Sequence, residues 1–182
     1  YLIPLFPLVS FLIIALSGKS LSKTITTFLA PGSILASFIV ALVLFASLQS
    51  HPQALTAPLC SWIHVGDFRA DFSLLIDPLS ILFTLVITGV GFLIHVYSTG
   101  YMHDEKDYNR YFAYLNLFVF FMLILVLGDN LLSMFIGWEG VGICSYLLIG
   151  FWFKNINYAS AAKKAFVMNR IGDTGFMLGI IL

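Results

Sequence analysis

Residues 134–152 read MFIGWEGVGICSYLLIGFW, a nearly unbroken apolar run that holds a single carboxylate, Glu139. The hydrocarbon core of a bilayer is about 30 Å thick and is crossed by a helix of roughly 20 apolar residues. A run of this length and composition is typical of such a helix. The stretch therefore predicts a membrane-spanning segment with an acid inside it.

The composition of the whole chain supports the same class of protein. Of its 182 residues, 60% are hydrophobic, 10% are charged and 18 are Phe, which is more apolar surface than a soluble core of this size can cover. Short polar segments divide the chain into six apolar runs. The runs are residues 2–16, 34–48, 79–97, 112–127, 131–152 and 166–182. We expect an all-α, polytopic transmembrane helix bundle of about six spans.

Basic residues alternate between the connections that join the six runs. The first, third and fifth connections carry Lys19 and Lys23, then Lys106 and Arg110, then Lys154, Lys163 and Lys164, whereas the second and fourth carry only Arg69. Connections rich in Lys and Arg stay on the cytoplasmic side of a membrane. The odd connections are therefore predicted to lie inside, and the N-terminal side of the first run outside.

Two of the outer connections have recognisable patterns. Residues 49–77 mix aromatic and charged side chains around Gly66, which predicts a small external hairpin between spans two and three with its turn near Gly66 and Asp67. Asp77 followed by Pro78 indicates a capped helix start. Residues 128–130, Gly-Asp-Asn, predict a tight turn that makes runs four and five an antiparallel pair.

Several classes of function are disfavoured. The formal net charge is zero and no basic patch has interleaved aromatic residues, so nucleic-acid binding is not expected. Cys60 and Cys144 are far apart and form no CxxC motif, so neither a zinc site nor an iron–sulfur cluster has ligands. His95 is the only histidine within a run, and interfacial or loop solvation is the expected role of each histidine. No cofactor or metal is expected in this chain.

Glu139 is the first candidate site residue because of its depth. It lies about eight residues from one end of its run, or ~12 Å at 1.5 Å per residue, and ~20 Å from the other end. A charge at such depth costs on the order of 2.5 to 3.5 kcal/mol and usually marks an ion or proton pathway. A buried carboxyl can reduce that cost by taking up a proton. The alternative is a neutral glutamic acid that is hydrogen-bonded to a neighbouring helix.

The last run supplies two more charges at linked depth. Arg170 and Asp173 are three residues apart and hence on one helical face, and Asp173 is ~20 Å from the inner end, which matches the depth of Glu139. We expect Glu139, Arg170 and Asp173 to act together in proton movement, although a structural ion pair between Arg170 and Asp173 is the simpler alternative. Lys163 and Lys164 are topology anchors or proton-entry residues.

Three glycines in the fifth run are expected to serve packing. Gly137, Gly140 and Gly142 would let a neighbouring helix approach closely, as small residues do in membrane bundles. A phosphate-binding loop would need a strand, a Gly-rich turn and a following Lys with Ser or Thr, and this stretch has none of these in order.

Longer blocks of the sequence resemble a known family. The blocks are NLLSMFIGWEGVGICSYLLIGFW, AAKKAFVMNRIGDTGFMLGIIL, LIDPLS and HVYSTGYM. They closely resemble the large antiporter-like membrane subunit of respiratory complex I, the family of bacterial NADH-quinone oxidoreductase subunit L and mitochondrial NADH dehydrogenase subunit 5. The resemblance covers nearly the whole chain.

The resemblance implies that residues 1–182 are the N-terminal part of a longer, all-helical protein, cut at both ends, that moves protons while partner subunits pass electrons from NADH to quinone. Flavin and iron–sulfur clusters would belong to those partners. By motif match, Glu139 corresponds to the family's buried glutamate, and Arg170 and Asp173 to its RIGD pair. The family's partner lysine would follow Leu182, and opening and closing of the glutamate–lysine pair would change the lysine's affinity for protons.

Other assignments of the same blocks stay open. The large subunit of multi-subunit sodium/proton antiporters shares much of the pattern, and the plastid-type quinone oxidoreductase subunit is a further relative with ferredoxin as electron donor. A purely structural membrane anchor is the alternative from another class. The expected partners are the lipid bilayer, other membrane subunits of complex I and protons. The expected location is the bacterial inner membrane, with the mitochondrial inner membrane as the alternative.

Overall fold

The computed structural model describes residues 1–50, 54–65 and 68–182. Six α-helices and one two-stranded sheet account for most of them. The elements are α1 (Leu2–Ser17), α2 (Lys23–Ser50), β1 (Leu55–Val65), β2 (Phe68–Ile76), α3 (Pro78–Tyr101), α4 (Tyr108–Leu127), α5 (Leu131–Ile149) and α6 (Ile156–Ile181). A short 3-10 turn, Gly18–Ser20, joins α1 to α2. The predicted all-α bundle with an added hairpin is confirmed.

The helices differ in how well they suit a bilayer. Among the described residues, four helices, α2 to α5, are long and apolar enough to cross a membrane. Helix α1 has only 16 residues, or ~24 Å at 1.5 Å per residue, and α6 carries four charged residues: Lys163, Lys164, Arg170 and Asp173. The predicted number of six helices is therefore confirmed, whereas six full spans is an approximation.

Two helices begin well before the apolar runs that predicted them. Helix α2 starts at Lys23, where the Ser22 hydroxyl accepts a hydrogen bond from the backbone N–H of Thr24 at 3.2 Å and so satisfies one of the first N–H groups of the helix. Helix α6 starts at Ile156, where the side chain of Asn155 accepts a hydrogen bond from the backbone N–H of Asn157 at 3.0 Å. Hydropathy alone misses both turns because polar residues can form helix without lengthening an apolar run.

The connection between α2 and α3 contains the predicted hairpin. Strands β1 and β2 pair antiparallel, with register shifts between Pro58 and Cys60 and between Ser61 and Ile63. The predicted turn residues, Gly66 and Asp67, lie outside the described residues. Leu74 and Ile76 of β2 are buried in the core that α3 and α4 share, so the hairpin is fixed to one end of the bundle.

Hydrogen bonds join the odd connections to one another on one face of the bundle and the even connections to one another on the opposite face. On one face, which we call the basic face, the residues that join α1 to α2, α3 to α4 and α5 to α6 contact one another. The bonds run from Lys23 Nζ to the carbonyl of His103 at 2.8 Å, from Asn109 Nδ2 to the carbonyl of Leu21 at 2.8 Å, and from Arg110 Nη2 to the carbonyl of Phe151 at 3.2 Å. The predicted grouping of the odd connections is confirmed.

The opposite face, which we call the hairpin face, brings the sheet and the α4–α5 turn together. The backbone N–H of Asp129 donates to the carbonyl of Ser73 at 3.2 Å, and the amide of Asn130 donates to the carbonyl of Asp71 at 2.7 Å. The side-chain oxygen of Asn130 also accepts from the N–H of Ser133 at 2.9 Å and thereby caps α5. The tight turn predicted at residues 128–130 is confirmed.

The start of α3 shows the capping that Asp77 and Pro78 predicted. The Asp77 carboxylate accepts a hydrogen bond from the N–H of Ser80 at 2.7 Å, and the Ser80 hydroxyl accepts one from the N–H of Asp77 at 2.9 Å. These reciprocal bonds form a capping box. The hydrogen bond from the Ser80 backbone lowers the pKa of Asp77 below its ordinary value.

Candidate functional site

Helix α5 is held against α4 by two glycines that leave no space for a side chain. A Cβ at Gly137 would lie 2.4 Å from the backbone nitrogen of Leu125, and a Cβ at Gly140 would lie 2.1 Å from the ring of Phe121. Both glycines are buried. Gly142 instead faces Asn169 of α6 at 3.5 Å. The predicted packing role is confirmed for Gly137 and Gly140, whereas Gly142 makes an ordinary contact. The close packing fixes the orientation of Trp138 and Glu139, which lie between the first two glycines.

The three charged residues singled out in the sequence meet between α5 and α6. The Arg170 guanidinium forms an ion pair with the Glu139 carboxylate, and the same nitrogen, Nη1, lies 3.7 Å from Asp173 Oδ2. We call Glu139, Arg170 and Asp173 the charge cluster. The Asp173 side chain is 9% exposed and that of Glu139 20%, whereas Arg170 is 43% exposed. One cation therefore joins two carboxylates that face the interior of the bundle.

The two carboxylates lie at the same depth. The same Arg170 nitrogen contacts both acids, which places Glu139 and Asp173 at one level of the bundle. Glu139 is eight residues, or ~12 Å at 1.5 Å per residue, from the start of α5 at Leu131 on the hairpin face. The predicted match in depth is confirmed, but α6 begins at Ile156, so Asp173 is 17 residues, or ~25 Å, from its inner end rather than ~20 Å.

A tryptophan completes the surroundings of Asp173. The indole N–H of Trp138 donates a hydrogen bond to Asp173 Oδ1 at 2.7 Å. The ring of Trp138 also meets Phe176 edge to face at 5.9 Å. On the other side of the cluster, the Arg170 guanidinium lies 4.9 Å from the centroid of the Phe166 ring, a favourable cation–π geometry. Each Asp173 oxygen therefore faces a donor, one from Trp138 and one from Arg170.

Lys163 and Lys164 stay apart from the charge cluster. Both are exposed on α6, and Lys163 precedes Arg170 by seven residues, which is ~10 Å along the helix axis. They lie next to Ala162, which is buried against Gly150. A Cβ added at Gly150 would lie 3.1 Å from the Ala162 Cβ. The structure brings these lysines to the half of α6 nearer the basic face.

Sequence reasoning missed Trp138 as a partner of the acids and misjudged His95. Trp138 directly precedes Glu139 in the GWEG motif, but nothing in the sequence indicates a bond to Asp173, 35 residues away. His95 is 0% exposed rather than interfacial. Its Nδ1 lies 2.7 Å from the carbonyl of Gly91, and among the described residues its Nε2 has no hydrogen-bond partner. The expected solvation of His95 is therefore wrong.

The charge cluster offers only two side chains that can ligate a metal. It contains two carboxylates and a guanidinium, and Arg cannot ligate a metal because it presents only donors. Within the described residues, no group of three or more His, Cys, Asp or Glu side chains is arranged to hold a metal ion.

Two family models match the chain. Residues 62–112 match the model described as NADH-ubiquinone oxidoreductase (complex I), chain 5 N-terminus. Residues 128–182 match the model described as NADH:quinone oxidoreductase/Mrp antiporter, transmembrane region. The second match contains the charge cluster and Trp138.

Curated relatives give the same result over a longer stretch. The chain is 45% identical over 181 residues to NADH-quinone oxidoreductase subunit L of Pseudomonas aeruginosa, covering 98% of this chain and 29% of that protein. It is 45% identical over 170 residues to subunit L of Escherichia coli, covering 93% of this chain and 28% of that protein. The chain thus spans under a third of the length of these relatives.

A solved structure shares the arrangement of the helices. A chain of the membrane-bound sulfane sulfur reductase, an archaeal respiratory membrane complex, superposes with a TM-score of 0.79 at 22% identity, covering 98% of this chain and 35% of that chain. At this identity the likeness concerns the fold alone. Together, the two family models, the identities to subunit L and the shared fold show that the chain belongs to the antiporter-like family of membrane subunits that includes NADH-quinone oxidoreductase subunit L.

Proposed function

We propose that residues 1–182 are the N-terminal part of a proton-translocating membrane subunit of NADH:quinone oxidoreductase, located in a bacterial inner membrane. The observation that carries this proposal is one guanidinium, Arg170, shared by two acids on consecutive apolar helices. Buried charges of this kind are costly and mark ion or proton pathways in membrane proteins. The 45% identity to subunit L of Pseudomonas aeruginosa supports the choice of enzyme complex.

The charge balance of the cluster suggests how it works. With both acids ionised, two carboxylates face one guanidinium, so the site carries one negative charge in excess. Unbalanced charge is expensive in a medium of low dielectric constant. Uptake of one proton, or approach of one further cation from another part of the subunit, would balance it. Glu139 is the acid that changes its interactions during turnover, while Arg170 and Asp173 tune it.

Lys163 and Lys164 are proposed to serve proton entry from the side of the basic face. They are exposed on α6 and lie between the start of that helix and the charge cluster. Their long, flexible side chains let the ammonium groups reach toward an aqueous interface. A proton arriving there would still need water to cross the remaining ~10 Å to Arg170.

The redox chemistry is assigned to partner subunits. We infer that this chain carries no redox cofactor and that flavin, iron–sulfur clusters and the quinone substrate belong to other parts of the complex. Its own partners are the lipid bilayer, neighbouring membrane subunits and the protons it moves. A mitochondrial inner membrane is the alternative location.

A sodium/proton antiporter subunit is the second candidate function. It is favoured by one observation, the match of residues 128–182 to a family model that describes both NADH:quinone oxidoreductases and Mrp antiporters. The charge cluster alone does not separate the two, because proton translocation serves both. A structural membrane anchor is less well supported, since an anchor has no need of an acid pair at membrane depth.

Purification of the full-length protein from its own membrane separates these candidates. We expect a tagged protein to copurify with flavin and iron–sulfur subunits, and the complex to reduce quinone with NADH while acidifying the lumen of inverted vesicles. Purification without NADH-oxidising subunits, together with sodium-dependent proton exchange, would support the antiporter instead. Full proton transport after simultaneous Glu139→Gln and Asp173→Asn substitution would favour the anchor.

A further inference from the structure

A groove of about 680 Å³ lies between α1 and the N-terminal turns of α4, where these helices reach the basic face. We propose that this groove binds the headgroup of an anionic phospholipid from the leaflet on that side of the membrane. The residues that line it differ between its two ends. Charged side chains lie toward the connections and apolar side chains lie toward the middle of the helices, which is the polarity of a phospholipid.

The charged end of the groove has an excess of positive charge. It is lined by Lys23, Lys106 and Arg110 against one carboxylate, Asp107. That carboxylate is already paired, because Asp107 Oδ2 lies 3.2 Å from Arg110 Nη2. Lys23 and Lys106, both exposed, are left as the surplus cations. The phosphate of an anionic lipid is the complementary group.

A hydrogen bond and a contact with an aromatic ring hold the Lys23 ammonium at the edge of the groove. Its Nζ donates to the carbonyl of His103 at 2.8 Å and lies 5.6 Å from the centroid of the Tyr108 ring. An ammonium has three donors, so two of them stay available for phosphate oxygens. The contact with His103 thus fixes the cation without using up its capacity to bind an anion.

The apolar end of the groove suits an acyl chain. Phe11, Ile14 and Ala15 of α1 line it on one side, and Ala113 and Tyr114 of α4 line it on the other. Helix α1 also exposes apolar side chains that adjoin these residues in sequence, with Leu12 43% and Leu16 84% exposed. A lipid in the groove would therefore continue into the layer that surrounds α1.

This amphipathic lining favours a lipid over a soluble anion. A free phosphate would meet the ammonium groups but would leave the apolar side chains of Phe11 and Ala15 uncovered. Basic pockets between helices on the cytoplasmic side recognise lipid headgroups, and the basic face is the side that the distribution of Lys and Arg assigns to the cytoplasm. Anionic lipids carry the negative charge of that leaflet.

The test uses the full-length protein in its purified complex, reconstituted in nanodiscs of phosphatidylcholine with or without phosphatidylglycerol. Retained phosphatidylglycerol is counted by native mass spectrometry, and thermal unfolding is followed in parallel. We expect the double variant Lys23→Gln/Lys106→Gln to lose about one bound phosphatidylglycerol per complex and the stabilisation that this lipid gives, because a ligand that binds only the folded state raises its stability.

Two further variants keep the test decisive. Lys154→Gln removes a cation that is also near the basic face but does not line the groove, and it should leave lipid retention unchanged. Ala15→Phe fills the apolar end while keeping all charges, at an exposed position where folding should be preserved, and it should also displace the lipid. Unchanged phosphatidylglycerol in both groove variants, or its displacement by millimolar inorganic phosphate, would overturn the proposal.

Discussion

At the scale of single residues, Arg170 and Trp138 decide how the two acids are held. A guanidinium is planar, permanently charged and rich in donors, so it can serve two carboxylates where a lysine ammonium provides only a point charge. Trp138 adds a neutral donor to the opposite oxygen of Asp173 at 2.7 Å. Asp173 is thereby fixed from two sides, and Glu139 depends on Arg170 alone among the contacts described above.

Trp138→Phe tests the part played by the indole N–H. The variant keeps an aromatic ring against Phe176 but removes the donor to Asp173. A hydrogen bond to a charged group contributes about 1.5 to 3 kcal/mol, so we expect a roughly tenfold or larger loss of coupled proton transport with normal assembly. The measurement is the proton flux of inverted vesicles at equal rates of quinone reduction.

Phe135→Leu is the matched control for that variant. Phe135 also meets the Phe176 ring, at 5.5 Å and edge to face, but contributes no hydrogen bond to Asp173. It should lower stability slightly and leave the proton flux per turnover intact. Equal losses of flux in Trp138→Phe and Phe135→Leu would show that ring packing, rather than the hydrogen bond, matters.

At the scale of helices and strands, the number of elements was predictable and their bounds were not. Long apolar runs reveal helices because the bilayer demands them, and the alternation of basic residues correctly grouped the odd connections on one face. The first turns of α2 and α6 were missed, because Ser22 and Asn155 cap these helices without being apolar.

The candidate site was predictable to the extent that it is local. Arg170 and Asp173 share a face because they are three residues apart, and counting residues gave Glu139 the same depth. The bond from Trp138 to Asp173 and the burial of His95 depend on how the helices pack against each other. Such contacts join residues far apart in sequence, so a single sequence contains no local signal for them.

Close packing of α5 on α4 leads to a prediction for Gly137. Gly137→Ala would bring a Cβ to 2.4 Å from the Leu125 nitrogen, so the helices must separate, and overpacking of this kind costs about 1 to 3 kcal/mol. We expect a lower thermal midpoint of the detergent-solubilised protein. The control is Gly179→Ala, whose Cβ would have no described atom within 4 Å apart from the helix's own backbone and chain neighbours. Equal midpoints for both variants would contradict the packing model.

The cap of α3 predicts a dependence of stability on pH. Because the Ser80 backbone bond lowers the pKa of Asp77 below 3.8, the ionised cap contributes its full stability above that ordinary value, and the contribution is lost as pH falls through the folded-state pKa. Asp77→Asn should reduce the loss of stability below about pH 4, since asparagine caps without titrating. Urea unfolding of both forms between pH 3 and pH 6 measures this, and identical pH profiles would argue against the cap.

At the scale of the whole molecule, the basic face and the hairpin face distinguish the two ends of the bundle, and the excess of Lys and Arg predicts which end is cytoplasmic. The three basic connections contact one another at one end of the bundle, and the hairpin and the α4–α5 turn contact one another at the other end. Within α5, Glu139 lies nearer the hairpin face, ~12 Å from the start of the helix there. A proton that enters from the basic face would therefore cross more than half of the length of α5 before it reaches Glu139.

The native cysteines offer a check of this orientation. Cys60 of β1 is exposed and Cys144 of α5 is buried. A membrane-impermeant maleimide added to intact cells should label Cys60, and Cys60→Ser should remove that label, because the hairpin face is predicted to lie outside. Labelling of Cys60 only in inverted vesicles would reverse the assigned topology.

The central claim is that the charge cluster carries proton translocation, and the most direct measurement is the number of protons moved per NADH oxidised by the assembled complex with Glu139→Gln. Glutamine fits the same space but cannot form the ion pair with Arg170 or exchange a proton. With Glu105→Gln at the basic face as the control, we expect a sharply reduced ratio in Glu139→Gln and an unchanged ratio in the control. A wild-type ratio in fully assembled Glu139→Gln would contradict the account.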